Sequence, residues 1–320
     1  MVVELNKLNN LLSKHYSVFI ASASYEDRSL SILNSIADEI NFDYRLVSLS
    51  IPHKKLMQHN LDIFERQEFS VIEIDNGDQV QTFSNFFTKL TEIINTNPNS
   101  SFLIDITTFT RQTLLILFRI LRNLLTSKNQ VQYVYAHAKE YSIGLPYKEK
   151  WLTRGILEVN SVFGYSGIIR PSRPYHLVVL MGFETERASS LITAYEPSKI
   201  TLGYAKKEDS LSEENFELNK QKVEELLIEF PNIESFEFSC MNILNCKEEI
   251  LDQVNKHKAH NIIISPMNNK ISTLSCALAA FDNNEIQIAT AIAAIYNYEN
   301  YSLAGANCSI IEMPDFIKTN

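Results

Sequence analysis

Short apolar runs alternate with longer amphipathic stretches along the whole chain. Apolar runs rich in β-branched and aromatic residues predict strands near Ser17–Ala21, Arg45–Ser50, Val71–Ile74, Phe102–Ile106 and Val131–Ala136. Helical spacing between them predicts helices near Leu30–Ile40, Leu56–Glu65, Phe83–Ile94 and Thr113–Leu124. The second half repeats this order. Its strands fall near Leu177–Met181, Ile200–Tyr204, Ser235–Ser239, Ile262–Ser265 and Ile286–Ala291, and its helices near Glu186–Ala194, Phe216–Phe230, Lys247–Lys256 and Ser272–Ala280. Leu5, Leu8, Leu11 and Leu12 predict one more helix before His15. Strands separated by amphipathic helices point to parallel sheets.

The two halves also echo each other in detail. Tyr16-Ser-Val-Phe-Ile-Ala-Ser-Ala-Ser-Tyr-Glu-Asp-Arg28 is matched by Tyr175-His-Leu-Val-Val-Leu-Met-Gly-Phe-Glu-Thr-Glu-Arg187. Ser101-Phe-Leu-Ile-Asp-Ile-Thr-Thr-Phe-Thr-Arg111 is matched by Asn261-Ile-Ile-Ile-Ser-Pro-Met-Asn-Asn-Lys270, and Glu140-Tyr-Ser-Ile-Gly144 by Asn300-Tyr-Ser-Leu-Ala-Gly305. Three echoes in one order, about 160 residues apart, indicate a duplicated unit. The expected fold is α/β: two tandem Rossmann-like, doubly wound parallel-sheet units forming an internal pseudo-dimer. Residues 1–150 make the first unit and 175–320 the second. Residues 151–174 form a linker rich in Gly and Pro, where alternation over Ile156–Phe163 suggests a hairpin.

Composition narrows the function. No apolar run reaches the length of a membrane span, and the first residues lack a signal-peptide pattern, so a cytoplasmic location is expected. Cys240, Cys246, Cys276 and Cys308 form no Cys-x-x-Cys pair, which suits a reducing compartment without structural zinc. The net charge of −9 is uneven: residues 1–160 carry −1 and residues 161–320 carry −8. No basic stripe is present for an extended nucleic-acid surface. The acidic second half suits docking on a basic protein partner.

Chemistry is expected where the winding of a doubly wound sheet reverses, at the loops after its first and fourth strands. Those loops carry Ser22, Ser24, Glu26 and Arg28, then Asp105, Thr107, Thr108 and Arg111, in the first copy. In the second they carry Gly182, Glu184, Glu186 and Arg187, then Ser265, Asn268, Asn269 and Lys270. Hydroxyls, amides and a cation at a helix start suit a small anion. In that reading Arg28, Arg111, Arg187 and Lys270 neutralise a nucleotide-like ligand held between the copies. Thr107, Thr108, Asn268 and Asn269 donate hydrogen bonds, and Glu26 and Glu184 orient the cations or read a base or sugar. The structural alternative has equal weight at each loop: Glu-x-Arg as helix capping plus an ion pair between the copies. The chain lacks Gly-x-Gly-x-x-Gly after either first strand, a Walker A sequence and a Gly-x-Ser-x-Gly elbow. No cofactor and no metal are called for. His53 and His137 are isolated, and His257 and His260 read as helix-surface residues. Tyr296, Tyr298 and Tyr301 either stack on a base or, more in keeping with such clusters, pack between domains.

Asp105-Ile-Thr-Thr-Phe-Thr-Arg111 resembles the strand-four motif of CARF domains, a Rossmann-like family in which Asp/Asn-x-Thr-Gly-Gly-Thr-Lys leads into a helix. Ser265-Pro-Met-Asn-Asn-Lys270 occupies the same place in the second copy. Neither copy has the paired glycines, and Arg111 stands where the family has Lys. The resemblance implies a sensor of cyclic oligoadenylates in prokaryotic antiviral defence, not itself an enzyme. Tyr16 to Arg28 is also similar to the first box of TIR domains, some of which cleave NAD with a later Glu; Glu65 or Glu68 would take that place. That implies an alternative, a nucleotide-cleaving enzyme. It would act as an NAD glycohydrolase or a ring-nuclease-like phosphodiesterase, with Glu26, Asp105 and Glu184 converging on the substrate. A third reading is a structural subunit of a larger complex.

Overall fold

In each half of the chain the first four parallel strands are each followed by a helix. The computed structural model describes residues 1–36, 40–146, 149–230 and 232–313. In chain order the first elements are β1 (Val2–Glu4), β2 (His15–Ser22), α1 (Ser31–Ser35), β3 (Asn41–Ser50), α2 (Lys54–Arg66), β4 (Ser70–Ile74), α3 (Gln79–Thr96), β5 (Ser101–Asp105), α4 (Arg111–Leu124) and β6 (Gln130–Tyr141). Then come β7 (Thr153–Ser161), β8 (Tyr175–Leu180), α5 (Thr185–Tyr195), β9 (Lys199–Ala205), α6 (Glu213–Glu229) and β10 (Ile233–Phe238). The chain closes with α7 (Ile243–Lys256), β11 (Asn261–Pro266), α8 (Lys270–Asp282), β12 (Ile286–Tyr296) and β13 (Ser302–Ile311).

Two sheets result, with strand orders β1-β13-β6-β5-β2-β3-β4 and β10-β9-β8-β11-β12-β7. In each, five parallel strands run in the order third, second, first, fourth, fifth. An antiparallel strand then pairs with the fifth: β13 with β6, and β7 with β12. The chain is therefore two doubly wound α/β units of one topology, as the repeated sequence predicts.

The antiparallel strands β7 and β13 divide the chain differently from the sequence boundaries. The first unit comprises residues 1–143 and 302–320, and the second residues 144–301. β6 and β7 follow one another in sequence but never pair; nor do β12 and β13. Each second member joins the other unit's sheet. The alternating stretch Ile156–Phe163 thus supplies one edge strand and not a linker hairpin. The chain leaves β6 through two residues in the left-handed region, Ser142 (φ 53°) and Gly144 (φ 73°). Leu5 and Leu8 fall in a 3-10 turn over Leu5–Asn10 and Leu11 and Leu12 follow it, so an α-helix is not formed there. Part of the predicted helix Leu30–Ile40 and the last residues of the chain, 314–320, lie outside the described residues.

Side chains cap the helices and fix where they begin. Asp78 accepts from the Gln81 amide at 2.9 Å, Asn242 from Leu244 and Asn245 at 3.1 Å, and Asn269 from Ser272 at 2.9 Å. Thr110 and Ser212 cap α4 and α6 in the same way. The helices after the fourth strands are apolar almost all round. Leu114, Leu115, Leu117 and Phe118 of α4 are buried, as are Ile271 to Ala280 of α8. The first unit's core gathers Phe19, Val47, Phe64, Leu103 and Val134, and the second's gathers Leu177, Leu202, Leu226 and Ile263. Among the described residues no helix is long and apolar enough to cross a membrane.

Candidate functional site

In each unit the winding reverses between the first and fourth parallel strands, which opens a crevice at their carboxyl ends. The loops bounding it are tied together by one bond of the same kind in both units. In the first unit the Thr108 hydroxyl donates to the Ser22 carbonyl at 2.7 Å. In the second the Asn268 amide donates to the Met181 carbonyl at 2.8 Å. Gly182 makes the second closure possible, because a Cβ there would stand 2.5 Å from the Met267 carbonyl oxygen.

A buried asparagine holds each first-strand loop from behind. Asn60 of α2 donates to the carbonyls of Ser24 (2.8 Å) and Glu26 (3.1 Å). Asn219 of α6 donates to the Gly182 carbonyl at 2.8 Å and accepts from the Ala205 amide at 3.0 Å. Neither was singled out from the sequence. The available signal was a polar residue on an apolar helix face: Asn60 among Met57, Leu61 and Phe64, and Asn219 among Phe216 and Val223.

The loop cations fall into two classes. Arg28 and Arg187 are buried, and each reaches a carbonyl on its unit's fifth strand. Arg28 donates to Ala136 at 3.2 Å and Arg187 to Ala291 at 2.5 Å. These carbonyls correspond, since Val131 and Ile286, each five residues earlier, pair with Phe102 and Ile262 on the fourth strands. Arg28 also bonds Glu26 through Nε (3.1 Å) and Nη2 (2.7 Å), an ion pair closed within one loop. Burial works against the Arg28 charge, but Glu26, Tyr141 and Tyr135 together outweigh it and the pKa rises. Arg111 and Lys270 are different: each is the first residue of the helix after the fourth strand, and each is half-buried.

Most of the remaining candidates are engaged within the loops. Asp105, at the end of β5, accepts from the Thr107 amide at 3.0 Å and from the Thr107 hydroxyl. The Thr107 hydroxyl in turn accepts from the Ala136 amide at 2.9 Å. Burial pushes the Asp105 carboxyl up to about 7, while the Thr107 bonds and Arg28 pull it down. Asn269 caps α8 and donates to the Cys240 carbonyl at 2.7 Å. Glu184 accepts from the Thr153 hydroxyl at 3.2 Å. Glu186 accepts from the Gly155 amide at 2.8 Å. Glu65 and Glu68 are exposed at the end of α2.

The two units differ in what lies beneath the loops. The first gathers polar groups around Arg28: Tyr141 lies under the guanidinium at 5.4 Å, and its hydroxyl is 3.3 Å from that of Tyr135. Burial, followed by Tyr141, drives the Tyr135 pKa up. Burial, followed by Arg28, lowers His137 to about 4, and its ring is 2.7 Å from the Ser309 hydroxyl. In the second unit Ser265 and Met267 replace Asp105 and Thr107, and the Ser265 hydroxyl is buried without a partner.

The histidines of the second unit cluster at the opposite end of the sheet. His257 and His260 are half-buried and pack on buried His176, with ring centroids 4.6 and 6.2 Å away. They are therefore not surface residues of a helix. Among the described residues no group of three or more His, Cys, Asp or Glu side chains is placed to hold a metal ion. Of the three tyrosines in the late cluster, Tyr298 is about half exposed.

No family model and no curated protein sequence matches this chain. Among solved structures, the chain is similar to a UDP-GlcNAc 2-epimerase from Neisseria meningitidis bound to UDP-GlcNAc. That match has 11% identity over 78% of this chain and 76% of that one, with a TM-score of 0.25. It is also similar to an adenylation, ketoreductase and pseudo-Asub multidomain structure of a keto acid-selecting NRPS module. There the identity is 10% over 84% of this chain and 28% of that one, with a TM-score of 0.20.

Proposed function

We propose that the protein is a non-enzymatic sensor or adaptor that takes a small nucleotide-like anion at its switch-point loops. The observation that carries this reading is the placement of Arg111 and Lys270. Each begins the helix that leaves the crevice, beside a loop pinned to its neighbour by Thr108 or Asn268. A cation on a first helical turn adds to the partial positive charge of the backbone N–H groups, so both draw an anion to one spot. Arg28 and Arg187 serve this site indirectly by holding the loop backbone. The charge of −8 on residues 161–320 supports a basic protein partner as the recipient of the signal.

Asp105 favours a second reading. A carboxyl that titrates near neutrality at the end of a fourth strand suits a general base, as in nucleotide cleavage.

The test is calorimetric titration of the full chain with cyclic oligoadenylates, cyclic dinucleotides and NAD, alongside mass spectrometry of small molecules released from the purified protein. Each cation engaging the anion contributes about 1.5–3 kcal/mol. Arg111→Ala with Lys270→Ala is expected to abolish binding and to leave the melting temperature nearly unchanged. Undiminished binding by that double variant would overturn the sensor site. Turnover of any of these compounds, lost in Asp105→Asn, would favour the enzyme reading.

A further inference from the structure

The acidic residue of each first-strand loop is held by a hydroxyl from the antiparallel strand that pairs with the fifth. Ser302 donates to Glu26 at 2.5 Å and accepts from Arg28 Nε at 2.9 Å. Thr153 donates to Glu184 at 3.2 Å. The two hydroxyls occupy corresponding places. Ser302 is the first residue of β13 and pairs with Tyr141, the last of β6; Thr153 is the first of β7 and pairs with Tyr296, the last of β12.

The wiring along the chain is reciprocal. Arg28 grips β6 at Ala136, and the continuation of β6 is β7, whose first residue holds Glu184. Arg187 grips β12 at Ala291, and the continuation of β12 is β13, whose first residue holds Glu26 and Arg28. A buried carboxylate needs a donor, and that need alone accounts for a hydroxyl near each Glu. It does not account for both donors arriving on the strand that directly follows, along the chain, the one that the opposite loop grips.

We infer that Ser302 and Thr153 are positioning residues that couple the two loops, so that loosening one loop loosens the other through the covalent chain. Such a coupling is reciprocal by thermodynamic necessity. The inference is independent of the proposed ligand, since no ligand enters its test.

The test is hydrogen exchange by mass spectrometry on the full chain and on Ser302→Ala, Thr153→Val, the double variant and Ser302→Thr. Peptides covering residues 23–28 and 182–187 report the two loops, and α3 reports global opening. Ser302→Ala, which removes the bond to Glu26 and the one from Arg28, is expected to speed exchange at least about fivefold in both loops while leaving α3 unchanged. Thr153→Val should do the same, Ser302→Thr should restore the slow exchange, and the double variant should fall short of the product of the singles. Acceleration confined to the loop that each hydroxyl touches, with multiplicative effects in the double variant, would overturn the inference. If Ser302→Ala also accelerates α3, Thr153→Val decides: it deletes a single hydroxyl with little change of shape, and 23–28 must respond to it.

Discussion

Asp105→Asn should stabilise the protein at neutral and alkaline pH, by an amount that grows with pH. In the folded protein burial raises this carboxyl from an ordinary 3.8 to about 7. Between those values the folded state holds a proton that the unfolded chain has released. The stability tied to that proton is complete below about pH 4 and is lost as pH rises through 7. Roughly three decades of proton concentration at about 1.4 kcal/mol each give a swing of about 4 kcal/mol. Asparagine is neutral throughout, and its Oδ1 can accept both Thr107 bonds. The assay is urea unfolding of both proteins from pH 4.5 to 8.5, followed by far-UV circular dichroism. The stability difference in favour of the variant should climb by several kcal/mol across the range and level off above pH 8. A difference independent of pH would refute the reasoning. It would mean that the folded protein keeps Asp105 ionised, with Arg28 and Thr107 overriding burial.

Acid should act through His176, whose pKa burial and the neighbouring His257 and His260 lower to about 3. Stability is then lost as pH falls from about 6.5 towards 3, and His176→Gln should shift the acid unfolding midpoint downward; an unchanged midpoint would contradict this. Gly182→Ala must push the Met267 carbonyl aside and should cost about 1–3 kcal/mol in thermal unfolding. Gly144→Ala, with open space around its Cβ, should cost less despite its φ of 73°. Leu117→Asp places a charge where a fully buried leucine contributes roughly 1.5–3 kcal/mol. It should abolish soluble expression, and a normal melting temperature would show the α4 face to be accessible.

The parallel strands, the buried fourth helices and the twofold repetition were legible in the sequence because each rests on local apolar spacing. The switch loops were legible because the echoes fall there. The pairing of β13 with β6 was not. Periodicity marks a strand but carries no information on which sheet it joins, and Ser302 meets Tyr141 across the whole second unit of the chain. Glu26 and Arg28 were recognisable as a charged pair, but their burial was not, since it depends on Ser302 and on the Ala136 carbonyl. Asn60 went unnoticed because one amide on an apolar helix face resembles a tolerated imperfection until its three acceptors are seen together.

The exchanged antiparallel strands β7 and β13 also make the gene divisible in a way that its midpoint is not. A cut near residue 150 would strand β13 on the wrong fragment, leaving β6 with a bare edge. Excising residues 144–301 instead and bridging Ile143 to Ser302 with a short turn would create an ordinary β6–β13 hairpin, because Tyr141 and Ser302 are already register partners. The removed piece is itself continuous and carries its own edge strand, β7. One polypeptide thus holds a sheet built from its two ends and a continuous insert, each with its own antiparallel strand.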